Sequence, residues 1–464
     1  MDAYIQGYPA EVFYLAALIG VVLLFIRPRW AFFFIVFGLS VRHFHMAAFT
    51  RIPAFGEYLN LNDLFLWIGV GAMIRMVWKN QRFWVPNILL AIFCIVLIGT
   101  FQVLFLYGFQ RDVMQDIWRA WIFAIAFLVS ANLIRDNQDA RLFFWALFLG
   151  SLGAAIQHIF FLHYRLEIFE AQVGFLRTIS FSMSGGMFLV ISALFIDMQK
   201  VFRNVYLFLF WVCGVSLIGV SYFLSFTRTW WVGAFMSAAS MIILLYRERE
   251  KILPRIGYSL VLVASIVLVF RLTNVFLLPE ANLTNVIDER ADFVRYEDTF
   301  EEAYKTRETG METELHLWQN GTIIWGAGVC YPPSLSGSTV EEVGALGHVA
   351  FSTYLAHFGL IGLITYGLLL PYLTVTVAKR YFLLHAHDYG GAIAMTAIAL
   401  AFFDVFTLLS SNHYLASTSQ MQGLIYGALW GLSRSLDVYA TRKAPASLTI
   451  KKPFHQWLPG TARS

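Results

Sequence analysis

Three basic residues stand where apolar stretches begin. Arg177 lies in Phe175-Leu176-Arg177-Thr178-Ile179-Ser180, Arg228 in Ser225-Phe226-Thr227-Arg228-Thr229-Trp230, and His348 in Gly347-His348-Val349-Ala350-Phe351-Ser352. If each stretch is a helix, each residue sits at a first turn, where free N–H groups and about half a positive charge are presented. Such ends bind anions, phosphates especially, and a guanidinium adds a bidentate grip. Ser225 and Thr227 supply hydroxyl donors beside Arg228, and Ser352 and Tyr354 do the same after His348. An imidazole, with an ordinary pKa near 6.5, suits the removal of a proton from a hydroxyl. The chemistry this set suggests is the handling of a phosphate-bearing substrate with a general base beside it. A plainer role stands next to each assignment: the arginines can snorkel to a membrane interface, and His348 can be an interfacial histidine without chemistry.

The elements that position these residues follow from composition. Of 464 residues, 59% are hydrophobic and 13% charged, with a mean hydropathy of +0.65. Average soluble domains carry about 25% charged residues, so the chain belongs in lipid. Apolar stretches at 88–106, 142–162, 205–222 and 257–272 have the roughly 17–25 residues a helix needs to cross ~30 Å of hydrocarbon. The reading is an all-α, polytopic integral membrane protein of about 12–13 helices. They are expected at 9–26, 30–47, 61–78, 84–106, 119–134, 142–163, 178–198, 205–223, 228–246, 256–277, 348–378, 390–410 and 418–433. Arg27-Pro28-Arg29 allows the first two to be either short spans or one broken hairpin. The 17% aromatic share, with pairs such as Trp230-Trp231 near span ends, fits interfacial belts.

Basic residues set the orientation. Arg27/Arg29, Lys79/Arg82, Arg135/Arg141, Lys200/Arg203, Arg247/Arg249/Lys251, Lys379/Arg380 and Arg442/Lys443 fall on alternate connections, which the positive-inside rule makes cytoplasmic. This bias accounts for most of the net charge of +4, and nucleic acid is not called for. The first residues lack the positive region of a cleaved signal, so no processing is expected. The chain then divides into ten helices over 1–277, an outer loop over 278–347, three helices over 348–433 and a cytoplasmic tail over 434–464. Within the loop, 288–314 is densely charged and mostly acidic, and 285–304 reads as an amphipathic helix with Val286, Phe293 and Phe300 on one side. Gly326, Gly328, Pro332, Pro333 and Gly337 mark a turn-rich return to the membrane. Arg290 and Arg295 in this loop are further candidates for phosphate, or ion-pair partners of its acids. A loop of this length is usually functional, although a solvated cap is the plainer reading. Cys94, Cys213 and Cys330 form no metal or disulfide pattern, and the acidic spacing matches no metal motif. Asp404, inside a span, reads as a buried polar contact rather than a proton relay.

Taken in order, these segments resemble the O-antigen ligase and oligosaccharide-repeat (Wzy-type) polymerase superfamily of bacterial envelope enzymes. Ser225-Phe226-Thr227-Arg228 is similar to its Ser-x-[Ser/Thr]-Arg signature, and Arg177-Thr178-Ile179-Ser180-Phe181 to an upstream arginine segment. Trp318 through Trp325-Gly326-Ala327-Gly328 is similar to a Trp…Pro-x-x-Gly-x-Gly approach, with Ile323 where proline is common. The likeness covers about 175–365. The ligase pattern also has His-[Asn/Ser/Gln] and, nine residues later, Gly-x-x-[Gly/Thr/Tyr]. Ser352, Gly362 and Thr365 fit that spacing with Phe351 in the histidine position and His348 three residues earlier, a departure favouring a polymerase over a ligase. The resemblance implies a GT-C-like fold in the bacterial inner membrane and a polyprenyl-pyrophosphate-linked oligosaccharide as donor. It also implies a glycan or lipid acceptor on the outer face, no metal or cofactor, and a flippase and chain-length regulator as partners. It casts Arg177 and Arg228 as holding the diphosphate and His348 as activating the acceptor. A transporter or flippase of lipid-linked sugar or a small anion is the competing class, although no internal repeat is evident.

Overall fold

A computed structural model describes residues 10–41, 51–54, 57–79, 83–172, 183–195, 202, 204–224, 228–246, 252–277, 297–330, 349–385, 388–408 and 418–443. In chain order the helices are α1 (Ala10–Ile26), α2 (Pro28–Val41), α3 (Leu61–Trp78), α4 (Asn87–Tyr107), α5 (Arg111–Leu133), α6 (Asn137–Gln172), α7 (Met183–Ala193) and α8 (Val205–Phe223). They continue with α9 (Arg228–Tyr246), α10 (Ile252–Leu272), α11 (Glu297–Asn320), α12 (Ala350–Gly362), α13 (Leu370–His385), α14 (Tyr389–Thr407) and α15 (Thr418–Lys443). π-helical turns at Thr273–Leu277 and Leu363–Leu369 extend α10 and join α12 to α13. The one sheet among the described residues is an antiparallel hairpin, β1 (Arg51–Ala54) with β2 (Glu57–Asn60), paired Arg51 to Asn60 and Ala54 to Glu57.

In hydrocarbon each peptide group must be satisfied within the chain, so apolar runs of this length become helices. Six helices among the described residues are long and apolar enough to cross a membrane, and five shorter apolar ones accompany them. The chain is therefore a helical membrane protein of several spans. Leu15, Phe25, Phe105, Val261 and Tyr372, all exposed on such helices, face the side lipid would occupy.

Small residues set how closely the inner helices approach. Gly423, Gly427 and Gly431 repeat every fourth residue on α15 and press against the α5 backbone. A methyl at Gly427 would lie 2.3 Å from the Phe127 carbonyl oxygen, and Ser130 Oγ donates to the Leu424 carbonyl at 2.8 Å. This is the small-x-x-x-small packing of membrane helices, a signal that the basic-residue and motif reading passed over. Almost the whole of α14 is buried, and its run of alanines and glycines lets α7, α9, α13 and α15 close around it. Asp388 caps its start, accepting from the Gly391 N–H at 2.9 Å.

The two ends of the bundle are distinct. At one end Arg29 reaches Asp136 (3.6 Å) and Asp139 (3.3 Å), Asn132 bonds both backbone groups of Trp84, and Asn137 accepts from Gly390 N–H. Arg434 lies over the Trp84 ring and Arg141 over that of Tyr389. The connections at 27–29, 83–86 and 134–137 and the start of α14, expected to share one side by their charge, thus meet at one end.

At the opposite end, two expectations change. The amphipathic helix expected at 285–304 is observed as α11, Glu297–Asn320; it continues well past 304, and residues 278–296 lie outside the described set. The chain from 304 to 320 holds no proline, and Gly310, Glu314 and Trp318 fall on one helical face, so the helix persists. The single span expected at 348–378 is broken at Gly359, which takes φ 64° and ψ −161°, a region essentially open only to glycine. A methyl at Gly359 would lie 2.3 Å from the Ile324 carbonyl oxygen.

Gly359→Ala should therefore cost both left-handed strain and a backbone clash, at least about 2–4 kcal/mol, read as a lower thermal midpoint in detergent. Gly108 also has positive φ (69°), but nothing lies within 4 Å of where a methyl would stand. Gly108→Ala, in the same backbone region (ψ −163°), should accordingly cost the strain alone, about 1–3 kcal/mol.

Candidate functional site

The break at Gly359 is filled by the turn that follows α11. Leu360 N–H donates to the Ile323 carbonyl (3.1 Å) and Ile361 N–H to that of Ile324 (3.2 Å). In return, Ala327 N–H donates to the Ala356 carbonyl (2.7 Å) and Gly328 N–H to that of His357 (3.2 Å). The turn holds itself closed: Gly326 N–H donates to the Thr322 carbonyl at 2.7 Å, and Trp318 Nε1 donates to the Ile323 carbonyl at 3.0 Å. Gly326 must be glycine here, because a methyl would meet the backbone of Ala356, His357 and Gly359 at 2.7 Å. Thus the Trp318…Gly326-Ala327-Gly328 segment singled out in the sequence is a plug for a helix break.

His357, fully buried, grips the same turn from the side. Its Nδ1 lies 2.7 Å from the Gly328 carbonyl, and a carbonyl only accepts, so Nδ1 carries the proton. Gly328 is thereby held through both its N–H and its C=O. Behind it, Cys330 is buried near Tyr107, the last residue of α4; burial first, and the nearby Asp116 charge second, push its thiol up to about 12.

The start of α12 is tied to α11 by Glu314, which is 1% exposed. Ser352 Oγ donates to one carboxylate oxygen at 2.5 Å and Thr353 Oγ1 to the other at 3.0 Å. Ser352 is thus committed to a carboxylate inside the protein, and Tyr354 is buried with its ring stacked on Tyr366, centroids 5.6 Å apart. Below this layer Asp404 accepts from Gln422 Nε2 (3.0 Å) and Tyr426 Oη (2.5 Å), the buried contact expected of it.

Three helix starts converge at this capped end, with α14 as common strut. Phe188 of α7 meets Phe403 edge-on at 5.3 Å, Gly233 of α9 packs on Phe403 and Thr407, and Phe351 N–H donates to the Leu408 carbonyl at 2.9 Å. Arg228 is the first residue of α9 and so stands at this end. Arg177, Ser225, Thr227, Arg290, Arg295 and His348 lie outside the described residues; His348 directly precedes Val349, where the described chain resumes.

Sequence reading missed Glu314, His357 and the role of Gly359. The signal for Glu314 was its place on the apolar face of α11, between Gly310 and Trp318. A second buried pair, His158 Nδ1 with Ser221 Oγ at 2.8 Å, links α6 to the end of α8 and also went unread. Set against known proteins, the chain matches no family model and no curated protein.

Thiolate, not thiol, reacts with alkylating reagents, so Cys330 should stay unlabelled by a soluble maleimide at pH 8 in the folded protein. Gly326→Ala should unseat the turn and expose it; with the exposed Cys94 and Cys213 replaced by alanine, rapid labelling of Cys330 without the Gly326 change would contradict the plugged arrangement.

Proposed function

We propose that this chain is a membrane glycosyltransferase, moving an oligosaccharide from a polyprenyl-pyrophosphate carrier to a glycan hydroxyl at the capped end of the bundle. The observation that carries this reading is the convergence of three helix starts on α14, one of them opened by Arg228. A pyrophosphate leaving group needs charge stabilisation more than a proton, which preorganised cations and helix N-termini supply. In this reading Arg177 and Arg228 hold the diphosphate, His348 takes the acceptor proton, and Arg290, Arg295, Ser225 and Thr227 line the donor's approach. The fold is GT-C-like, the membrane is the bacterial inner membrane, and the capped end faces outward, because the basic connections gather at the other end.

The position of the break alters one part of the family comparison. Registered on Gly359, the glycine whose backbone requires it, the ligase pattern runs His348-Val349, nine residues, then Gly359-Leu360-Ile361-Gly362. His348 then occupies the histidine position and no substitute base is needed. Val349 in place of a polar residue keeps a departure from the ligase pattern, and we place the chain with the polymerases. The broken helix is also what a transporter would show. In transporters the freed backbone groups commonly line a cavity; here they are bonded to the 323–328 turn, which weighs against that class.

Purified protein given a polyprenyl-pyrophosphate oligosaccharide should yield a ladder of lengthening glycans on a gel. A single shift with an added lipid acceptor would make it a ligase, and counterflow in liposomes without any product would make it a transporter. Arg177→Ala, Arg228→Ala and His348→Ala should each lower turnover by about 10²-fold or more at unchanged thermal midpoint. Wild-type rates in both arginine variants would end the diphosphate assignment.

A further inference from the structure

Among the described residues, helix α12 starts without a cap of its own. Its N-cap residue is Val349, which makes no side-chain capping bond. What stabilises the start comes from elsewhere in the chain: Leu408 offers its carbonyl to Phe351 N–H, and the Glu314 carboxylate of α11 bridges Ser352 and Thr353. A negative charge at a helix N-terminus is favourable. Both hydroxyls are also within reach of the Val349 carbonyl, at 3.2 Å from Ser352 and 2.8 Å from Thr353. Each hydroxyl has one proton, so the carboxylate and that carbonyl compete for it. With the carboxylate present, the 2.5 Å contact marks Glu314 as the acceptor for Ser352. Without it, both hydroxyls fall back on Val349, a bonding pattern that bends helices.

The segment from Ala350 to Phe358 is therefore fixed to the cap at two places. Glu314 holds its first turn, and the 323–328 turn holds its broken end at Gly359. Glu314 and Asn320, the last residue before that turn, lie on the same helix, so both attachments belong to one continuous piece of chain. In the sequence His348 directly precedes Val349, the N-cap of that first turn.

We propose that Glu314 is a positioning residue for the transfer reaction: by capping α12 from another helix, it fixes the helix start that His348 directly precedes in the sequence. This rests on the glycosyl-transfer reading. Glu314 is buried and bonded to two hydroxyls of the α12 start, so its assigned role is to position that start. Small displacements of a base lower turnover steeply, whereas donor binding, assigned to other helix starts, should be untouched.

The test compares Glu314→Gln, which keeps size and loses charge, with the Ser352→Ala/Thr353→Val pair. In the polymerisation assay each should lower kcat roughly ten- to hundredfold, with the donor KM and thermal midpoint close to wild type. Combining them should add little, because all three residues form one tie. Ser352→Thr, which keeps the hydroxyl, should retain most activity. Unchanged kcat in Glu314→Gln overturns the proposal, as does a loss that merely tracks the folded fraction. A second readout does not need activity. In a chain whose native cysteines are alanine, Ala350→Cys should be labelled by a soluble maleimide roughly tenfold faster or more when Glu314→Gln is added. If the wild-type protein transfers nothing, the transfer reading fails, and equal labelling rates would separately show that Glu314 does not hold the helix start.

Discussion

At Gly359 the chain leaves helical geometry, and the N–H groups of Leu360 and Ile361 turn away from Ala356 and His357 toward the carbonyls of Ile323 and Ile324. A peptide group left unpaired in such an interior costs several kcal/mol. The four bonds between 323–328 and 356–361 are therefore a condition for the break to exist, and the break is in turn a condition for the turn to have a seat. This reciprocity constrains the capped end. It demands glycine at 326, where any side chain would strike backbone. It places His357 against Gly328, and it brings α11 alongside α12 so that Glu314 can reach Ser352 and Thr353.

The rest of the bundle gives this assembly a fixed floor. Helix α14 is almost wholly buried among its neighbours, and its far end carries the contacts of α7, α9 and α12. Asp404, bonded to Gln422 and Tyr426, ties α14 to α15 just beneath them. The glycines of α15 then lock that helix to α5. A place where several helix ends meet a buried strut is held more precisely than one carried on a free loop.

Most of the helices were legible because lipid leaves few alternatives: α1, α3, α8 and α9 lie within a residue or so of the stretches read from hydropathy. That the connections at 27–29 and 134–137 share one end was legible from their basic residues. The break was not. Gly359 sits among Phe358, Leu360 and Ile361, so a hydropathy pattern runs straight through it. Only the partner turn, more than thirty residues earlier, makes a left-handed residue tolerable there. Glu314 was hidden in a different way, as one acid among many in a charged segment, distinguished only by the face it occupies once α11 is formed.

Amide hydrogen exchange at Ala327, Leu360 and Ile361 tests the stitched break most directly. If the turn fills the break, these three amides exchange as slowly as interior amides of α14, although they lie at a helix interruption and in a loop. Exchange at the rate of an open loop, with slow exchange confined to the helices on either side, would contradict the account.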